Sequence, residues 1–300
     1  MYHGPIIDTH HHLWEVRNYP WLVAPPSPKI FGESYELLRK DYLIGDLLAD
    51  FAGNNVVKSV HMQAHYLPDD PVGETRWLQA VADRQGYPHG IAGHVHLAAD
   101  NAEKLLLGHC AFPNFRSIRD LIYWSPIKTA WQVVDRPDFC LTPAFRRGVK
   151  LLGEHGMNFE LQGFPNQFGY FAELVGTAPQ VQFCLVHGGL LVSDDDATFA
   201  AWEAGLRRLV GFENLYVKCS GMNLLNWDAP RPAEFVSRQY NTLLDMFGAG
   251  RCFFGSNFPV EKLRSSYDGL IAMLKEVLAH RPEAEQRRFF HDTAAQFYRI

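Results

Sequence analysis

Residues 6–14 read IIDTHHHLW. In an extended strand successive side chains point to opposite faces, so His10 and His12 share one face and His11 takes the other. Two imidazoles one pleat apart can ligate a divalent metal or grip an anionic group. The plainer reading is a pair of packed or capping histidines. A second candidate is CLVHGG, where His187 ends an apolar run and Gly188 and Gly189 leave room for a ligand or a sharp bend. In NLYVKCSGM, Ser220 ends another apolar run and Lys218 shares its parity. Lys218 is therefore a candidate substrate contact, or else a strand-end surface lysine. In RCFFGSNFPVEKL, Pro259 stops any continuation of a strand just after Asn257. Asn257 stands where a catalytic group would be aimed, yet its amide can hydrogen-bond without taking a proton from water.

Other polar residues end apolar runs in the same way: Gln63 with His65, His94 with His96, Arg119, and Glu160 with Gln162. Arg119 can bind a carboxylate with both arms of its fork, and Gln63 is a further candidate substrate contact. Glu160 can serve as acid or base if desolvation raises its pKa. The second H-x-H pair, in GHVH, reads as a hydrogen-bonded packing feature rather than a second metal site. No G-x-S-x-G elbow appears, which argues against serine nucleophile chemistry.

These residues need a scaffold. Eight runs have strand character: Pro5–His12, Val56–Ala64, Gly90–Leu97, Phe115–Asp120, Met157–Gln162, Val181–His187, Asn214–Gly221 and Arg251–Asn257. Helical patterns follow them at Gly45–Gly53, Gly73–Arg84, Asn101–Cys110, Thr142–His155, Asn166–Thr177, Ala197–Gly211, Ala233–Phe247 and Ser265–His280, with a last helix near Pro282–Tyr298. Runs such as VQFCLV are apolar on both faces, as a parallel sheet covered by helices requires. Eight strand–helix units predict a single-domain α/β chain, a closed (β/α)₈ barrel of the TIM type over residues 1–300. The runner-up, an open doubly wound sheet, would need a glycine-rich phosphate loop that is absent. The two longest connections, Leu13–Leu43 and Ile122–Leu141, both follow a strand and so belong on the catalytic face. Trp21, Tyr123, Trp124 and Trp131 are expected to line the pocket from those loops, with Trp21 and Trp124 as substrate contacts.

The formal charge of −5 excludes a basic nucleic-acid footprint. No apolar run approaches the roughly 20 residues of a membrane span. Five scattered cysteines without a CxxC pair suit a reducing, cytoplasmic setting. The only partner expected is a small-molecule substrate; the oligomeric state is not readable.

Taken in order, IIDTHHHLW, VVKSVHMQA, GHVHL, FRSIRD, FELQ, CLVHGG, VKCSGM and FFGSNFPV resemble the amidohydrolase-2 group of the amidohydrolase superfamily. The nearest likeness is to its lactonase-like branch of fuconolactonases, rhamnonolactonases and 2-pyrone-4,6-dicarboxylate lactonase. The resemblance implies a distorted barrel and a carboxylic-ester hydrolase that opens a sugar-derived or dicarboxylate lactone. It implies that His10, His12 and His187 polarise the substrate or hold one divalent metal ion, zinc first, although some members work without metal. The branch usually carries G-S-D at the last motif, and its aspartate activates water. Here that position is Asn257, and the strand-three aspartate of relatives is His96. Glu160 is then the candidate base. Two other readings follow from the same barrel: a metal-dependent decarboxylase of an unsaturated acid, and a non-catalytic binder of a small acid.

Overall fold

The computed structural model describes residues 2–24, 33–222 and 231–300. Eight strands form one sheet in the order β1 to β8: Ile6–His11, Val56–Met62, Gly90–Gly93, Phe115–Ile118, Asn158–Leu161, Phe183–Leu185, Leu215–Cys219 and Cys252–Phe254. Every neighbouring pair is parallel. The barrel closes between β8 and β1. Thr9 Oγ1 donates to the Phe254 carbonyl at 2.5 Å, and the His12 amide donates to the Phe258 carbonyl at 2.7 Å. The buried Asp8 carboxylate accepts from the Ser256 amide at 2.8 Å and from the Tyr267 hydroxyl at 3.2 Å. This is the (β/α)₈ barrel that the alternation of runs predicts.

The helices in chain order are α1 (Pro20–Val23), α2 (Ile44–Phe51), α3 (Gly73–Gln85), α4 (Ala102–Cys110), α5 (Pro143–Glu154), α6 (Phe168–Thr177), α7 (Asp196–Leu206), α8 (Ala233–Phe247), α9 (Tyr267–Val277), α10 (Glu283–Arg287) and α11 (Thr293–Tyr298). Helix α5 shows how the sequence makes them. Thr142 caps it by accepting from the Phe145 amide at 3.4 Å, and Pro143 opens it with a pre-set φ. Phe145, Val149 and Leu152 then recur on one face and are buried against the barrel. Each such side chain contributes roughly 1.5–3 kcal/mol by leaving water.

Two differences from the sequence reading have physical causes. The strands stop one to four residues early at their C-terminal ends, because the polar residues there leave the ladder to build the mouth. The last helix is broken. A wider turn over Arg288–Asp292 separates α10 from α11 and buries both Phe289 and Phe290. Helix α11 plugs the barrel floor, where Phe297 and Tyr298 pack on Ile7, Val60, Cys184, Tyr216 and Phe253.

The first long connection is tied down. Trp14 and Tyr42 exchange backbone hydrogen bonds of 2.9 Å, Trp14 Nε1 donates to the Lys40 carbonyl, and Trp21 Nε1 donates to the Ala64 carbonyl at 2.6 Å. Most of its proline-rich run, residues 24–29, lies outside the described residues. No helix among the described residues is long and apolar enough to cross a membrane.

Candidate active site

The C-terminal strand ends surround a cavity of about 520 Å³. Its walls carry Trp14, Trp21, Tyr123, Trp131 and Phe164, and its polar lining is His12, His65, His94, Arg119, Asp120, Gln162, His187 and Asn257. The backbone around it is unusual. Of the non-glycine residues with positive φ (Asn55, His65, His187, Leu190, Asn257 and Arg299), four line the cavity. Such conformations persist only where the surroundings enforce them, and they cluster at functional sites. Gly221, with φ 55°, shows the crowding. A Cβ there would stand 2.8 Å from His187 Nδ1 and 2.9 Å from Asn257 Nδ2, so any side chain would displace one of them.

The structure brings His10, His12 and His187 together. The rings of His10 and His187 stack at 4.6 Å, and those of His10 and His12 meet edge-on at 5.2 Å. Each has its Nδ1 engaged. His12 Nδ1 lies 2.7 Å from the Met62 carbonyl and His187 Nδ1 lies 2.9 Å from the Ser220 carbonyl. A carbonyl can only accept, so both rings carry their proton on Nδ1 and keep a lone pair on Nε2. Ser220 Oγ bridges His10 Nδ1 at 3.2 Å and His187 Nδ1 at 2.9 Å. His10 lies behind the cavity wall, fully buried, and its Nε2 has no partner among the described residues.

These imidazoles are uncharged. Burial pushes the His187 pKa down to about 3, with Arg119 adding to the effect. Burial first, then the Arg119 charge, hold His12 well below its ordinary range. They are thus lone-pair donors and poor bases. Two such nitrogens backed by oxygen partners, with the His10 ring packed against both imidazoles, are a donor set that fits a divalent ion. Among the described residues, however, no three His, Cys, Asp or Glu side chains are gathered as a finished metal centre. The corner at the end of β8 is the Asn257 amide, whose side chain makes no hydrogen bond within the described protein.

Arg119 is 6% exposed, and its guanidinium reaches the cavity. Nη2 donates to the Gln63 carbonyl and Nη1 to Gln162 Oε1 at 3.4 Å, while Nε has no partner among the described residues. Among the described residues no carboxylate pairs with it. Burial lowers its pKa to about 10, which leaves the charge in place at neutral pH.

Four other sequence candidates stand elsewhere. Glu160 is not at the mouth. It is fully buried in the barrel interior, accepting from Ser117 Oγ at 2.9 Å, from the Tyr298 hydroxyl at 2.6 Å and from Lys218 Nζ at 2.8 Å. Lys218 is likewise fully buried and faces Glu160 rather than the cavity. Both sit on strand positions that point inward, below the level where the strands end. Gln63 turns its amide inward, where Oε1 accepts from the His65 amide at 2.7 Å, so it braces the wall without lining it. Trp124 is part of the second long loop but not of the cavity lining, where Tyr123 and Trp131 stand instead. Asp120 is the residue that sequence reasoning passed over. It follows Arg119, and strand parity would point it away from the mouth. The strand ends at Ile118, so that parity no longer applies.

The family model for amidohydrolases matches residues 7–300. The chain belongs to the amidohydrolase family. It is similar to an uncharacterized protein of Sinorhizobium fredii, y4mH, with 37% identity over 297 residues and 98% of each chain covered. It is 24% identical over 304 residues to an L-fucono-1,5-lactonase of Burkholderia ambifaria, covering 98% of this chain and 95% of the lactonase. Among solved structures, an amidohydrolase from Burkholderia multivorans with bound zinc superposes with a TM-score of 0.83 at 23% identity, over 99% of this chain and all of that one. That last likeness speaks to the fold.

Proposed function

We propose that this member of the amidohydrolase family opens a small lactone that carries a carboxylate, by attack of water at the barrel mouth. The observation that carries this reading is a buried guanidinium, Arg119, with no carboxylate partner among the described residues, sharing one cavity with the uncharged imidazoles His12 and His187. A buried charge without a counter-charge is costly, and an anionic ligand relieves that cost. Arg119 therefore holds the substrate carboxylate, while the aromatic walls hold the ring. The likeness to L-fucono-1,5-lactonases supports lactone chemistry, and the substrate is sugar-derived or a dicarboxylate.

The Asn257 amide offers its N–H to the lactone carbonyl, where negative charge grows as water attacks. Side-chain amides serve this purpose when they are held rigidly. The Asn257 backbone is fixed by its own amide, which donates to the His10 carbonyl at 2.5 Å. A divalent ion, when bound, would be held by Nε2 of His10, His12 and His187 and would polarise the same carbonyl. A panel of aldarolactones and pyrone-carboxylate lactones, with neutral aldonolactones as controls, followed in a pH-stat, tests the reading. The expected result is hydrolysis of at least one carboxylate-bearing lactone; folded protein inert towards all of them contradicts it.

A further inference from the structure

The lactone reading needs a proton acceptor, and the obvious positions do not supply one. The end of β8 carries an amide, Glu160 is locked in the barrel interior, and His12 and His187 have been stripped of proton affinity. Among the described residues one carboxylate lines the cavity, and it is Asp120. Its side chain is only 4% exposed. The Leu97 amide donates to its Oδ2 at 2.9 Å, and His96 Nδ1 meets the same oxygen at 3.2 Å. Oδ1 is thereby left for His94, whose Nε2 stands 3.7 Å away. Catalytic hydrogen bonds are often this long before substrate arrives.

His94 is itself well placed. It lines the cavity with a third of its side chain exposed. Its carbonyl meets His109 Nε2 at 3.1 Å, and His109 Nδ1 is pinned in turn by Thr75 Oγ1 at 2.8 Å. His94 Nδ1 has no hydrogen-bond partner among the described residues. His94 directly follows β3 and Asp120 lies two residues beyond β4, while His10 lies on β1 and Asn257 just beyond β8.

We propose that Asp120 and His94 form the general-base pair of this cavity, with Asp120 orienting the ring and His94 Nδ1 taking the proton of the attacking water. The proposal rests on the lactone reading. As the water oxygen bonds to the carbonyl carbon, one O–H bond breaks and its proton passes to Nδ1. As the endocyclic C–O bond then breaks, the same proton goes to the departing ring oxygen. One water is consumed, a hydroxy acid leaves, and the imidazole is neutral again. Asp120 stays ionised throughout, as the orienting carboxylate of a histidine base does.

The test uses the full chain and a lactone that the wild type hydrolyses. His94→Gln should lower kcat by about 10²–10⁴-fold, the usual worth of a positioned base, and move KM by less than about threefold. His94→Gly should recover part of that rate when free imidazole is added, which a merely structural role would not allow. Asp120→Asn should also lower kcat, and His96→Gln, which touches only the far oxygen, should cost less than either. Wild-type kcat in folded His94→Gln overturns the pair while leaving the lactone reading standing. So does a His94→Gly defect that imidazole does not relieve. A wild type without lactone turnover overturns both.

Discussion

Lys218 Nζ lies 2.8 Å from Glu160 Oε2, with both side chains wholly buried inside the barrel. Tyr298 closes over the pair from α11: its hydroxyl donates to Glu160 Oε1 at 2.6 Å, and Lys218 Nζ sits 5.3 Å from its ring centre. A matched pair of this kind contributes little net stability against apolar residues of the same size, but removing one partner strands the other charge without water. Lys218→Met or Glu160→Gln should therefore lower unfolding free energy by about 3–5 kcal/mol, read from urea melts. Lys218→Met combined with Glu160→Leu should recover most of that loss. Unchanged melts in the single variants would mean that the pair is not buried as described.

Among the described residues Arg119 is the cation of the cavity, and its fork is already shaped by Gln63 and Gln162. Arg119→Lys keeps the charge but loses the planar geometry. It should raise KM for a carboxylate-bearing lactone by about tenfold or more and leave a neutral lactone almost unaffected. Equal effects on both substrates would assign Arg119 to the fold instead.

Asn257→Asp changes charge and proton affinity with almost no change of shape. The carboxylate would replace the N–H offered to the carbonyl, so kcat without added metal should fall by about 10²–10³-fold. It would also add an anionic fourth donor to three uncharged imidazoles, so the variant should retain more zinc through gel filtration than the wild type. Elemental analysis reads the second effect independently of the first. Equal zinc in both proteins would show that position 257 does not face the histidines' lone pairs.

The histidines also set a pH dependence. Burial lowers the pKa of His61 and His187 to about 3 and of His109 to about 4, and holds His10, His11 and His12 well below the ordinary value. In the unfolded chain these groups take up protons near pH 6.5, roughly the free imidazole value. Between there and pH 3 the unfolded state binds more protons, so stability is complete above that window and is lost as pH falls through it. Two carboxylates act in the opposite sense, since burial raises Asp8 to about 6 and Glu74 to about 7. Six histidines outweigh two carboxylates. The melting temperature should drop by roughly 5 °C or more between pH 7 and pH 5. A flat profile would mean that the cluster is solvated.

Much of this was written in the sequence. Apolar runs of fixed spacing made the barrel legible, and strand alternation placed His10 and His12 on one side, with His187 at the end of β6. The rest needed coordinates. Glu160 and Lys218 obey strand parity as well as any mouth residue does, but parity does not give height along the barrel axis, and these two sit below the mouth. Asp120 was hidden for the converse reason: it lies beyond the last paired residue of its strand, where alternation no longer determines direction. The Ser220 bridge between His10 and His187 joins residues 210 and 33 positions apart, a separation no local pattern can show.

If water opens an ester bond in this cavity, its oxygen must end in the product acid. Turnover of a carboxylate-bearing lactone in ¹⁸O-labelled water, followed by mass spectrometry, tests it most directly. One ¹⁸O in the new carboxylate of the hydroxy acid and no carbon dioxide are expected. Release of carbon dioxide without label in the product, or no product at all from folded protein, would contradict it.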